Sequence, residues 1–173
     1  MKKLHLIRHA KSSHDDSYLS DIDRPLSQRG LQACQRMAVP IARAGCPFDP
    51  VFCSPALRAQ STIEQISYAL PERQINWQID DALYTFEFQD LLRWCRALDN
   101  AMNEVVIVGH NPAMTDFVNE MCDRVSADWP ARTLDNLPTC GYVQLSFENT
   151  SWQTLSKGSA TLVSFLKPKM FVA

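Results

Sequence analysis

Val105-Val106-Ile107-Val108 constrains this chain more than any other stretch. Four consecutive β-branched residues make a strand that is apolar on both faces, and such a strand needs cover on both sides. It runs directly into Gly109-His110-Asn111-Pro112. Two further runs share its grammar. Leu4-His5-Leu6-Ile7 leads into Arg8-His9-Ala10, and Val51-Phe52-Cys53 leads into Ser54-Pro55, with Arg58 a turn later. Each is short and bounded by polar residues, as buried strands of a parallel sheet are.

Helical patterns fill the spaces between the runs. A first helix is expected over 27–42, capped by Ser27 and stopped by Gly45 and Pro47. A second is expected over 55–70, ending before Pro71, and a strand over 75–79 follows it. Residues 88–98 read as a third helix with Leu91, Leu92, Cys95 and Leu98 on one side. Asn111-Pro112 opens a fourth, with proline at its first position and Met114, Phe117, Val118 and Met121 inward. A loop is expected over 123–138. Strands over 142–147 and 152–155 read as a hairpin around Asn149-Thr150, and 161–166 as one more strand. Alternating β and α units imply a three-layer α/β/α fold, with a mainly parallel central sheet and an antiparallel C-terminal strand pair.

Bulk composition narrows the class. The 173 residues suffice for one domain spanning 1–173. A net charge of -2 argues against a general nucleic-acid binder, which carries a basic stripe. No apolar stretch is long enough to span a bilayer, and the apolar region behind Lys2-Lys3 is too short for a signal peptide, so a cytoplasmic protein is expected. Cys34, Cys46, Cys53, Cys95, Cys122 and Cys140 lack paired spacing, and there is no Cys-x-x-Cys. They read as buried reduced thiols rather than disulfides or a zinc site. Cys53 abuts the strand end that matters.

In an open parallel sheet, ligands bind beyond the carboxyl ends of the strands. His9, His110, Arg8 and Arg58 would converge there from three distant stretches of chain. Arginine offers a planar fork that matches phosphate oxygens and never loses its charge. Arg58 also lies in the first turn of a helix, where the dipole disfavours a cation, which hints at an anion shared between them. The cluster therefore suits a phosphoryl group. A neutral His9 could attack phosphorus and carry it covalently, provided a backbone carbonyl near Ala10 holds its other ring proton. His5 is expected to pack or face solvent, and His14 to be a loop residue.

Arg8-His9-Ala10, Ser54-Pro55 with Arg58, and Gly109-His110-Asn111-Pro112 resemble the three signature boxes of the histidine phosphatase (phosphoglycerate mutase-like) superfamily. Asp23-Arg24-Pro25-Leu26 with Gly30, Leu83-Tyr84, Leu137-Pro138-Thr139-Cys140, Trp152 and the Phe165 to Lys169 ending resemble its small SixA-type phosphohistidine phosphatases. The resemblance runs from Lys3 to Lys169. It implies a metal-independent and cofactor-free signal-transduction phosphatase acting on a phosphohistidine-bearing protein, with phosphate or another oxyanion in the site. His9 would be the nucleophile, and Arg8, Arg58 and His110 would hold the phosphoryl group. Ser12 is carried over as a phosphate-binding hydroxyl. Arg24 is a substrate-rim contact or a surface salt bridge. Related mutases place a glutamate acid after the third strand. None aligns here, and Asp81 is taken for that role, with a loop carboxylate or helix cap as the alternative. Relatives often carry asparagine at the position of Asp15, whose charge should turn outward. Alternatives to the phosphoprotein reading are a small-molecule phosphomonoesterase or mutase, and an inactive phosphoprotein-binding module.

Overall fold

A computed structural model describes residues 1–125 and 134–172. The chain order is β1 (Lys2–Arg8), α1 (Gln28–Arg43), β2 (Val51–Cys53), α2 (Leu57–Ala69), β3 (Trp77–Ile79), α3 (Phe88–Arg96), β4 (Glu104–Gly109), α4 (Ala113–Met121), β5 (Cys122–Val125), β6 (Tyr142–Phe147) and β7 (Ala160–Leu166). Among the described residues these strands form one sheet in the order β3-β2-β4-β1-β6-β7-β5. The run β3-β2-β4-β1 is parallel, β6 lies antiparallel to both β1 and β7, and β5 rejoins β7 in parallel.

The β-branched run occupies the interior of this sheet and feeds both faces. Val105 and Ile107 pack with Leu91, Leu92 and Cys95 of α3 and with Met114, Phe117 and Val118 of α4. Val106 and Val108 face Cys34, Met37 and Ile41 of α1 and Ala59, Ile63 and Ile66 of α2. Strand alternation thus divides one apolar segment between two layers. Each such side chain contributes about 1.5–3 kcal/mol when fully buried.

One contact ties the helical layer to the loop after β1. Ser27 caps α1, its Oγ accepting from the Gly30 amide at 3.1 Å, and the Ser27 amide donates to the Lys11 carbonyl at 2.9 Å. A Cβ on Gly30 would run into that same carbonyl oxygen. Glycine lets α1 lie directly on the backbone that follows His9, and a larger residue would push the two apart.

Three expectations change. Residues 152–154 form a 3₁₀ turn, not a strand, and the partner of β6 is β7. Trp152 is the reason: it is fully buried, with its indole N–H donating to Met102 O at 2.7 Å and its amide to Asn100 Oδ1 at 2.8 Å. That anchoring pulls the segment away from the sheet. The expected loop begins with a strand, because 122–125 pair with β7, and its stretch 126–133 lies outside the described residues. Finally, α2 begins at Leu57 rather than at Pro55, because the Ser54 hydroxyl accepts from the Ala56 amide and holds the entry turn open.

Candidate active site

Parallel pairing brings the two histidines together. β1 and β4 run in register, with Arg8 opposite Gly109, so the next residue on each strand is a histidine. The His9 amide donates to Gly109 O at 3.0 Å, and the imidazole centroids stand 5.2 Å apart. β2 pairs Cys53 with Val108, which sets Ser54 beside His110. From there α2 delivers Arg58, which is buried. A cavity of about 250 Å³ opens over this edge, lined by Arg8, His9, Lys11, Ser12, His14, Asp21, Arg24, Arg58, Phe86, Asn111 and Thr139.

The two rings are held differently. His9 Nδ1 lies 2.7 Å from the carbonyl of Ala10. A carbonyl only accepts, so Nδ1 carries the proton and Nε2 keeps its lone pair. Nε2 takes no hydrogen-bond partner among the described residues. Thr62 of α2 completes the support: its Oγ1 accepts from the Ala10 amide at 2.8 Å and donates to Arg58 O at 2.7 Å. Burial, opposed by the Ala10 bond and reinforced by Arg58, Arg8 and Arg24, takes His9 down to about 4. The nitrogen that faces the cavity is therefore a neutral nucleophile across the ordinary pH range.

His110 sits among His9, Arg58, Tyr84 and Phe86. Its Nδ1 accepts from Arg58 Nη2 at 3.4 Å, and its Nε2 donates to Ser54 Oγ at 2.7 Å. Burial first, then the neighbouring His9 and Arg58, lowers it to about 3. Arg8 donates through Nη1 to Leu137 O at 2.9 Å, and burial together with Arg58 pulls its pKa down. The Nε atoms of Arg8 and Arg58 are both buried without a hydrogen-bond partner. A buried and a half-buried guanidinium, each with an unspent Nε donor, and a lone pair on His9 make an anion receiver with a nucleophile in its wall.

Of the sequence candidates, Arg8, His9, Ser12, Arg24 and Arg58 line the cavity, and His110 abuts it through His9 and Arg58. Arg24 is no simple surface charge: its Nη1 donates to Ser12 Oγ and its Nη2 to Asp21 Oδ1 at 2.9 Å. Asp15 is exposed, as expected. Asp81 is not brought to the site. It is exposed on a 3₁₀ turn (Asp81–Leu83) and borders a different depression, with Thr85 and Trp94. Its neighbour Asp80 pins that turn, accepting from the Ala82 amide and from Trp94 Nε1 at 2.8 Å. Cys53 is fully buried, and burial pushes its thiol up to about 12, so it is not a nucleophile here. His5 is also buried, donating from Nε2 to Glu104 and accepting at Nδ1 from the Tyr142 hydroxyl, both at 2.7 Å.

The carboxylate that does reach the cavity is Asp21, which the sequence reading did not select. It accepts from Arg58, Arg24 and the Tyr84 hydroxyl. The Tyr84 bond, then Arg24 and Arg58, hold it well below the ordinary carboxylate range against the opposing effect of burial. It is an acceptor, not a proton donor. The spacing Asp21-x-x-Arg24 was the available signal. Asn111 and Thr139 also line the wall; Asn111 Nδ2 donates to Leu137 O at 2.9 Å, tying the two loops that flank His110 and Arg8.

Comparison with known proteins bears on the family and the fold. Residues 4–93 match the family model of the histidine phosphatase superfamily (branch 1). An uncharacterized protein of Mycobacterium tuberculosis is 28% identical over 166 residues, covering 94% of this chain and all of the relative. The protein histidine phosphatase SixA, solved with tungstate, superposes with a TM-score of 0.76 at 21% identity, over 98% of this chain and 99% of that one. A mycobacterial glucosyl-3-phosphoglycerate phosphatase superposes with a TM-score of 0.63 at 15% identity, over 96% and 98% of the two chains. The fold is thus shared with a protein phosphatase and with a small-molecule phosphatase.

Proposed function

The chain belongs to the histidine phosphatase superfamily, and we propose that this phosphatase hydrolyses phosphohistidine on a protein through a covalent phosphohistidine formed on His9. A cytoplasmic role in phosphohistidine signal transduction is part of the same proposal. Arg8 and Arg58 take the phosphoryl oxygens. The neutral Nε2 of His9 attacks phosphorus in line, the bond from phosphorus to the substrate imidazole breaks, and that imidazole leaves with a proton from solvent. Opposite charge from the bound phosphoryl group favours protonated His110, which then donates to an equatorial oxygen. Water attacks phospho-His9, inorganic phosphate departs, and His9 returns to its neutral form. The arginines and His110 supply the positive charge, so no metal takes part in any step.

One observation carries the choice of substrate. Among the described residues, the only carboxylate lining the cavity is Asp21, and its three donors keep it ionised. Expelling an alkoxide from a phosphomonoester calls for a positioned acid, an effect worth about a hundredfold to ten-thousandfold. Expelling imidazole does not, because the ring protonates with an unperturbed pKa of about 6.5. A cavity without an acid therefore favours phosphohistidine.

The test is a set of kcat/KM values for a phosphohistidine protein, an aryl phosphate, phosphoserine and a sugar phosphate. The expected order is phosphohistidine first, aryl phosphate next and the alkyl esters last. Rapid quench with labelled substrate should leave acid-labile, base-stable label on His9, and His9→Ala should lose turnover by several orders of magnitude. Sugar phosphate or phosphoserine turned over as well as phosphohistidine would assign the site to a small-molecule phosphomonoesterase instead.

A further inference from the structure

A second cavity, of about 160 Å³, adjoins the first and shares two of its walls, Lys11 and Thr139. Its other lining residues are Arg29, Gln32, Ala33 and Arg36 of α1, and Pro168. None is acidic. Arg29, Ala33 and Arg36 lie at i, i+4 and i+7, on one face of the helix. Lys11, Arg29 and Arg36 are exposed, and among the described residues none of their side chains makes an ion pair or hydrogen bond. The charge around them is segregated in the chain itself. Residues 24–48 contain four arginines and no Asp or Glu, and residues 149–173 contain three lysines and no Asp or Glu. Pro168 brings the second of these segments against α1, with Lys167 and Lys169 as its chain neighbours. Lys157 pairs with Glu120 beside a different depression and Arg24 with Asp21, but Lys11, Arg29 and Arg36 line the cavity itself, so a protein of net charge -2 places three exposed cations beside its phosphoryl pocket.

We propose that this basic cavity docks an acidic face of the phosphohistidine-bearing protein. The inference rests on the phosphoprotein reading above and names how that partner is recognised. Its occupant is a set of carboxylates flanking the phosphohistidine. Arginine forks match carboxylates bidentately. Arg29 and Arg36 are seven residues apart on one helix, about 10 Å along its axis at 1.5 Å per residue. That spread suits two carboxylates on a protein surface better than a single small anion. Sharing Lys11 and Thr139 with the phosphoryl pocket sets the docked face next to the reacting group. Uncompensated cations at such a rim also steer an acidic partner, raising association by about 10-fold to 1,000-fold in a salt-dependent way.

The test compares two phosphohistidine substrates that differ in size. One is a phosphorylated histidine-containing phosphotransfer domain with acidic residues around its phosphohistidine. The other is phosphoimidazole, which cannot reach α1. The exposed pair is reversed in Arg29→Glu/Arg36→Glu and conserved in Arg29→Lys/Arg36→Lys. The reversed variant should lose at least tenfold in kcat/KM on the domain, through KM, and its salt dependence should flatten. Its kcat/KM on phosphoimidazole should stay within twofold of wild type, which also certifies its fold, and the lysine variant, which keeps the charge without the fork, should fall between the two on the domain. Unchanged turnover of the domain, or an equal loss on both substrates, would overturn the docking role. A loss confined to a bisphosphorylated sugar would give the cavity to a small second anion and overturn it too. Failure of the underlying reading looks different: wild type would ignore both phosphohistidine substrates while hydrolysing phosphomonoesters.

Discussion

Asp21 grips Arg58 twice. Its Oδ2 accepts from Nη2 at 2.9 Å, and its backbone oxygen accepts from Nη1 at 2.6 Å. The two side chains are unequal partners: Arg58 is 2% exposed and Asp21 is 47% exposed. A buried guanidinium is thereby aimed from outside by a carboxylate that also holds Arg24 and the Tyr84 hydroxyl. The loop after β1 thus orients the cation delivered by α2, and the two are linked across 37 residues of chain.

Asp21→Asn keeps the shape and removes the charge. Arg58 keeps its bond to the backbone oxygen but loses the charged side-chain half of the grip, and the cavity loses a negative charge that repels the substrate. These effects split between the kinetic constants. kcat should fall about tenfold to a hundredfold, the scale expected for a misplaced charge clamp, while KM does not rise and vanadate inhibition does not weaken. Steady-state kinetics on an aryl phosphate check both. A raised KM at full kcat would show that Asp21 instead helps hold the substrate.

Thr62→Val removes the hydroxyl that accepts from the Ala10 amide. The two side chains have the same shape, so the change isolates the hydrogen bonds. A buried N–H left without a partner costs about 1–3 kcal/mol, which urea denaturation would read. Because Ala10 O holds the Nδ1 proton of His9, kcat should fall as well. Lost stability at full activity would limit Thr62 to a structural part.

Acid should destabilise the fold through its histidines. His9 and His110 are lowered to about 4 and about 3, chiefly by burial, and His5 is lowered by burial against the pull of Glu104. Between these values and the unfolded value near 6.5 the unfolded chain binds more protons, so stability rises with pH. The contribution is complete above about 6.5 and is lost as pH falls towards 4 and then 3. Each histidine adds a slope of up to about 1.4 kcal/mol per pH unit. Asp21, whose pKa is depressed, adds a further loss below its ordinary range. Urea midpoints between pH 4 and 7.5 should show a shallower slope in His9→Ala and His110→Ala than in wild type. Equal slopes would place the titration elsewhere.

Asp81→Asn should change nothing beyond twofold, on phosphohistidine, aryl or alkyl substrates alike, since the side chain borders a separate depression. Chelators should likewise leave activity intact, because in the proposed mechanism Arg8, Arg58 and His110 supply the positive charge. A selective loss of ester hydrolysis in Asp81→Asn would restore it as the proton donor.

Much of the architecture was written locally. Val105 to Val108 requires cover on both faces wherever it lies, Ser27 caps a helix through its own third neighbour, and strand-end histidines follow from where apolar runs stop. Those signals span a few residues, so pattern alone reveals them, and the convergence of His9, His110, Arg8 and Arg58 at one sheet edge was legible for that reason. The choice between carboxylates was not. Asp21 and Asp81 look alike along the chain, but one loop folds over Arg58 while Asp80 and Trp94 pin the other turn away. Nor could periodicity show that Trp152 would bury itself and leave β7 to pair with β6, or that His5 would be sealed between Glu104 and Tyr142. These outcomes depend on burial and on partners met only in the folded chain, up to 137 residues away for His5 and Tyr142. Sequence by itself determined which groups could do phosphoryl chemistry; tertiary packing decided which of them meet and which nitrogen of His9 stays free.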